Sequence, residues 1–174
     1  MAEEELFQTY SDTGQALELR PRSEVHRLGL WHKAVQVFVY RSTGELLLQQ
    51  RAADKDLHAG HWDASVGEHL QPGETYQQGA LRGLAEELSL PALDLQALGT
   101  EQRLALRGDD YRDFEMQMAF RVTYDGPITF NEEIQAIRWV SQAQFEALLA
   151  DPAYPFTPWF LHHLQTLPLW KADS

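Results

Sequence analysis

Three carboxylates and a guanidinium, Glu74, Glu86, Glu87 and Arg82, stand at spacings that a helix turns into proximity. At 3.6 residues per turn, Ala80, Leu81, Leu84 and Leu88 make an apolar stripe, and Arg82, Glu86 and Glu87 fall off it. Arg82 and Glu86 are one turn apart, so the guanidinium can hold one carboxylate while the other stays free. Glu74 falls at the helix start, where the helix dipole favours an acid. The expected product is a helix with acids on its exposed side, oriented by an arginine. Clustered carboxylates repel one another unless a cation joins them, and hard oxygen donors suit Mg2+ or Mn2+.

A second set is rich in histidine: His26, His32 and His69, with Asp113 and Glu115 further along. In a strand, positions 113 and 115 point to the same face. Imidazole and carboxylate together make a mixed nitrogen and oxygen site, a possible second metal site for Mn2+ or Zn2+ rather than Mg2+. Spacing alone does not bring His26 to His69.

These side chains need a scaffold, and the chain supplies strand and helix signals without strict alternation, which indicates an α+β fold. An N-terminal hairpin is expected over 4–24, from Leu6–Tyr10 and Ala16–Leu19 around a turn at Ser11–Gly14. Val35–Tyr40 and Leu46–Arg51 form a second hairpin around Ser42–Glu45. Ala64–Val66 is a short strand, with a turn at Gly67–His69. The acidic helix spans Thr75–Ser89, stopped by Pro91. Two long strands over 95–106 and 112–123, a strand at Ile137–Val140 and helices at Gln142–Ala150 and Thr157–Gln165 complete the chain. Loops 52–62, 107–112 and 150–160 are left to set specificity, with Arg51, Trp62 and Tyr111 as expected substrate contacts.

With 174 residues and 44% hydrophobic content, the chain is expected to form a single domain over 1–174. It has no cysteine, which excludes disulfides, thiolate zinc sites and thiol nucleophiles. A net charge of -12 argues against nucleic acid as a partner. An anionic substrate entering that field needs divalent cations to cancel the repulsion. Met1–Glu5 is acidic rather than signal-like, and no apolar run is long enough to span a bilayer, so a cytoplasmic protein with no membrane partner is expected. A monomer and a homodimer are both compatible.

Glu74, Arg82, Leu84, Glu86, Glu87 and Leu90 stand in the register of G-x5-E-x7-R-E-U-x-E-E-x-G-U, where U is aliphatic. The segment, loop and helix over 67–90, resembles the box of the Nudix hydrolases. That resemblance implies an α/β/α sandwich with a mixed central sheet. It also implies a metal-dependent pyrophosphohydrolase with Glu74, Arg82, Glu86 and Glu87 in the catalytic machinery. Three positions depart: Glu68 stands where the box begins with glycine, Gly83 replaces the glutamate after the arginine, and Ser89 replaces the late glycine. Gly83 matters most, because in several members that glutamate is a metal ligand or the base. Glu68, Glu115, Glu132 and Glu133 are the acids left to substitute. A mid-helix glycine costs about 1 kcal/mol relative to alanine, so helix propensity did not place it there, and room for a ligand group is the expected reason.

His26 to Glu87 further resembles the isopentenyl-diphosphate isomerase branch, through His26-x5-His32-x-Ala34, the Gly60–Asp63 loop and Ser65-Val66-x-x-His69. The resemblance implies a metal held by His26, His32, His69 and Glu115, with Asp113 less surely. The isomerases need a cysteine two residues before the third histidine, and Gly67 stands there. The expected protein is therefore an isomerase-like hydrolase of a nucleoside diphosphate derivative or another organic diphosphate. A catalytically weak diphosphate-binding protein is the second reading, in which Gly83→Glu raises activity. An isomerase is the third.

Overall fold

The computed structural model describes residues 3–170. Strand β3 (His32–Tyr40) is its spine. The strand is rich in β-branched and aromatic residues and is buried along nearly its whole length, as in a strand covered on both faces. Alternation divides its side chains. Val35, Val37 and Val39 pack with Ala80, Leu84 and Leu88 of helix α2 (Tyr76–Leu88). Phe38 and Tyr40 pack in the opposite layer, with Phe145 of α3 (Gln142–Ala150) and Trp159 and Phe160 of α4 (Pro158–Thr166). Helices thus cover both faces of a mixed sheet, the α/β/α sandwich expected from the sequence.

The sheet runs β10 (Ile134–Val140), β4 (Leu46–Arg51), β3, β9 (Arg112–Thr123) and β7 (Gln96–Ala97). Three short strands join it: β5 (Trp62–Asp63) on β4, β6 (Val66–His69) on β3 and β8 (Gln102–Arg107) on β9. β3 and β9 are parallel, with His32 opposite Glu115, and β6 lies antiparallel to β3 with His69 opposite Ala34. That register brings His32, His69 and Glu115 to one end of the sheet. The separate hairpin of β1 (Leu6–Tyr10) and β2 (Ala16–Pro21) closes over this end, and Phe7 stacks on His32 with ring centroids 5.3 Å apart. Among the described residues no helix is long and apolar enough to cross a membrane.

Several local expectations change. Residues Arg22–Leu28 form a helix, α1, that the sequence reading did not assign. It is only two turns long, too short for a periodic signal, and is bounded by Pro21 and by Gly29 at φ 72°. The expected hairpin of β3 and β4 survives at one pair, Tyr40 with Leu46. Beyond it the strands part, and Ser65 bridges the gap: its Oγ donates to Leu47 O at 2.6 Å and accepts from Val39 N at 2.8 Å. The chain over Gly67–His69 is strand, not turn, because β3 satisfies its backbone groups. The long strand expected over 95–106 is broken into β7 and β8 around Gly99 at φ 76°. Ser89, not Pro91, ends α2, taking the left-handed cap at φ 57° with its N–H on Ala85 O and Leu84 O.

Candidate active site

Helix α2 starts at a capping box, in which Thr75 accepts from Gln78 N and the Gln78 side chain accepts from Thr75 N. This fixes where the helix begins and so the direction of its acids. Glu87 is not on an exposed side, as the stripe argument expected, but is buried, 3% exposed, beneath β4 and β6. The glycine one turn earlier, Gly83, lets β6 come so close that the rim of the helix becomes interior. Gln49 of β4 donates to Glu87 Oε1 at 3.3 Å, and Glu87 Oε2 is buried with no hydrogen-bond partner among the described residues.

Glu87 meets Glu68 of β6 and Glu133, with one carboxylate oxygen of each within 4.8 Å of the others. Burial, then the charges of Glu68 and Glu133, raise the Glu87 carboxyl well above its ordinary range. Burial also raises Glu68, to about 7; Arg82 opposes this and Glu133 and Glu86 add to it. Glu68 and Glu87 resist ionising side by side, which a divalent cation relieves, and the all-oxygen donor set with an orphaned Glu87 oxygen fits Mg2+ or Mn2+.

Gly83 explains how Glu68 comes to be there. A Cβ at position 83 would stand 2.7 Å from Glu68 Cγ and 2.7 Å from Val66 Cγ1. The space above the glycine belongs to β6 and the Glu68 side chain, not to a ligand group as the sequence suggested. Two departures from the box therefore meet: the helix has no side chain at 83, and the Glu68 side chain of the strand lies over that spot.

Arg82 holds the frame. Its Nε and Nη2 donate to the two oxygens of Glu74 at 2.9 and 3.0 Å, Nη2 donates to His69 O at 2.8 Å, and Nη1 lies 3.3 Å from both Glu68 and Glu86. Glu74 is spent on this clamp and stands apart from the three-acid group. Glu86 also stands outside it, on the exposed rim, because one residue before Glu87 the helix has turned toward solvent.

A second group lies beside the first. His26 of α1 and His32 of β3 each place Nε2 3.4 Å from Asp113 Oδ1, and His69 Nε2 lies 3.2 Å from Glu115 Oε1. Donor atoms of His26, His32, His69 and Asp113 all fall within 4.8 Å of one another. The helix missed in the sequence is what carries His26 to His69. Asp113, weighed below Glu115 from sequence, is the acid inside this tight set. Burial works against a charged His32, yet Asp113 and Glu115 together push it up to about 10. Burial likewise acts against Glu115, and His32 and His69 hold it well below the ordinary carboxylate range. His26 Nε2, His32 Nε2 and Asp113 Oδ1 are buried without hydrogen-bond partners among the described residues, and the three-nitrogen, one-oxygen set fits Zn2+ or Mn2+.

Between the groups lies a cavity of about 50 Å3, walled by Ala34, Gln36, Leu57, Gly67 and Trp159. It shares Arg22, Arg51, Gly67, Glu68 and His69 with a wider one of about 210 Å3 that also reaches Lys55. Arg51 is held by its donation to Leu57 O at 3.1 Å and stacks on Trp159 at 5.1 Å. Trp62, expected at the substrate, does not wall either cavity; it stacks on Tyr154 at 6.2 Å. Alternation on β5 is the reason: Asp63 faces the cavity, so its neighbour faces away, and Trp159 takes the place, donating to Asp63 at 2.7 Å. Tyr111 is also set back from the wall, bonded to His58 Nε2 at 2.9 Å. Arg22 and Gln36 carry no sequence signal as site residues, Asp63 only its place in the Gly60–Asp63 loop and Trp159 only its place in loop 150–160; Glu68 and Gly83 are visible as departures from the box, but not that they meet.

A family profile described as NUDIX domain matches residues 30–160. The chain is 34% identical over 160 residues to an isopentenyl-diphosphate Delta-isomerase of Photobacterium profundum, covering 87% of this chain and 88% of the relative. It is 31% identical to an uncharacterized Nudix hydrolase, orf19, of Rhodococcus erythropolis, covering 89% and 87%. In structure it is similar to DR0079 of Deinococcus radiodurans, with a TM-score of 0.74 at 20% identity over 92% of this chain and 98% of the other.

Proposed function

The chain belongs to the Nudix family and is a hydrolase of that family; on that premise we propose that it cleaves organic diphosphates, nucleoside diphosphate derivatives among them, in a reaction dependent on Mg2+ or Mn2+. The observation that carries the reading is the convergence of Glu68, Glu87 and Glu133 on one point. These three residues would hold the cation. When bound, it would neutralise phosphoryl oxygens and make a water more acidic.

The remaining work falls to the chain. Arg51, Arg22 and Lys55 bring positive charge to the cavity of a molecule whose net charge is -12, and they bind the diphosphate oxygens. Arg82 touches no substrate; it fixes Glu74, Glu68 and the β6 backbone so that the acids keep their spacing. Gln49 fixes Glu87. Of the acids weighed as proton acceptors, Glu68 and Glu133 stand beside Glu87, Glu115 belongs to the histidine group and Glu132 is exposed. The proton of the attacking water therefore goes to a carboxylate oxygen of Glu68 or Glu133. His26, His32, His69 and Asp113 would hold a second cation, Mn2+ or Zn2+.

The test is phosphate release from a panel of nucleoside diphosphates, triphosphates, sugar diphosphates and isoprenoid diphosphates with Mg2+ or Mn2+, beside Glu87→Gln. Turnover that Glu87→Gln abolishes is the expected result; turnover that persists in that variant would sink the reading. The histidine group and the isomerase relative favour one alternative, isomerisation of isopentenyl diphosphate. Gly67 stands against it, since no thiol is present to move the proton. Formation of dimethylallyl diphosphate would reverse that judgement. The position of Glu68 over Gly83 supports a hydrolase over a weak binding protein, since an acid stands where the helix lacks one.

A further inference from the structure

Gly67 does more than omit a side chain. It pairs with Gln36 across β3 and β6, and a Cβ at position 67 would meet Gln36 Oε1 at 3.2 Å and Nε2 at 3.4 Å. The Gln36 carboxamide thus occupies the space that a side chain at 67 would use. Gln36 is 4% exposed, forms part of the wall of the smaller cavity, and its Oε1 is buried with no hydrogen-bond partner among the described residues. A buried acceptor left unpaired is costly, and native folds pair nearly all of them. Ala34, Leu57 and the face of Trp159 are apolar and offer that oxygen nothing; the charged wall residues, Arg51, His69 and Glu115 among them, do not hydrogen-bond it either.

The two cavities adjoin at Arg22, Arg51, Gly67, Glu68 and His69. A diphosphate held at Arg51 and Lys55 would therefore point its organic group into the chamber over Gly67. The chamber measures about 50 Å3, room for a group of only a few heavy atoms. A hydrocarbon there would seal Gln36 Oε1 from water without pairing it.

We propose that this chamber takes a small hydroxyl- or amine-bearing group on the organic side of the diphosphate, and that Gln36 selects it by accepting its hydrogen bond. Gln36 is then the residue that turns the site away from alkenyl diphosphates. The inference rests on the diphosphate reading of the adjoining cavity.

The probes are paired alkyl and terminally hydroxylated alkyl diphosphates of about two to five carbons, lengths scaled to the chamber. Each is titrated calorimetrically into the Mn2+-loaded protein, with phosphate release followed separately. At one chain length or more, the hydroxylated member should bind about ten-fold or more tightly than its alkyl partner. Gln36→Leu, close in shape and without the acceptor, should erase that preference; Gln36→Met serves if the leucine variant does not fold. No preference at any length, no binding of either series, or a preference unchanged by the substitution would each overturn the proposal. Phosphate release without preference would remove the chamber and leave the hydrolase standing. Preference without phosphate release would do the reverse.

Discussion

Glu68 and Gly83 act as one unit, since the glycine is the floor on which the glutamate lies. Glu68→Gln keeps the shape and removes the charge, and should lower turnover by about 10- to 100-fold or more, read from phosphate release at saturating Mn2+. Gly83→Glu, which the box pattern suggests as a repair, should not raise activity, because its Cβ would lie 2.7 Å from Glu68 Cγ and from Val66 Cγ1. Even Gly83→Ala should destabilise by about 1–3 kcal/mol in urea unfolding, the ordinary effect of overpacking. A gain of activity in Gly83→Glu would mean that Glu68 is not the substitute. The positions that depart from the box were legible in the sequence; that they meet was not, since a strand and a helix separate them and their distance is a matter of packing.

At the scale of elements, α2 depends on its ends. Its first turn is capped reciprocally by Thr75 and Gln78. Its last residue is less well suited. Ser89 holds φ 57°, a region where a Cβ is crowded and glycine is not. Ser89→Gly should therefore stabilise the fold by about 1 kcal/mol, visible as a rise in the thermal midpoint without change in the Mn2+-dependent activity. The reason is conformational, so Ser89→Ala should not reproduce it. The short helix α1 marks the limit of periodicity as a guide. Seven residues hold too few turns to show a stripe, yet they deliver His26 to the histidine group. The hairpin of β3 and β4 is confined to its tip for a different reason: beyond the turn, β9, β6 and β10 offer each strand longer partners.

Across the whole molecule, buried charge ties stability to pH and to cations. His163 of α4 is buried beside Phe38, and burial, with His162 adding to it, lowers its imidazole to about 4. In the unfolded chain the same group titrates at about 6.5. Between those values the unfolded state binds more protons, so stability falls as the pH drops from about 6.5 to 4 and loses nothing more to this group below that. The loss is about 3 kcal/mol over the window. His163→Leu should flatten that part of the acid limb in urea titrations; an unchanged slope would mean that the imidazole reaches water. Cations act in the other direction. A metal that binds only the folded protein stabilises it by about 2.7 kcal/mol at a hundred times its dissociation constant. Mn2+ should raise the thermal midpoint, and Glu68→Gln combined with His32→Gln should remove the rise.

The class of fold and the chemistry on offer are written in the local order of residues. Period-2 and period-3.6 patterns, Thr75 and the box register are local, and local chemistry forms helices and strands wherever they sit. The absence of cysteine excluded thiol chemistry outright. Packing between elements sets which acids share a point, that Glu87 is buried while Glu86 is not, that Asp63 and not Trp62 faces the cavity, and that Gln36 covers Gly67. Those are distances between elements remote in sequence. They are set by strand register and by how closely side-chain volume lets a helix approach a sheet, and neither quantity is written in the spacing of residues along one chain.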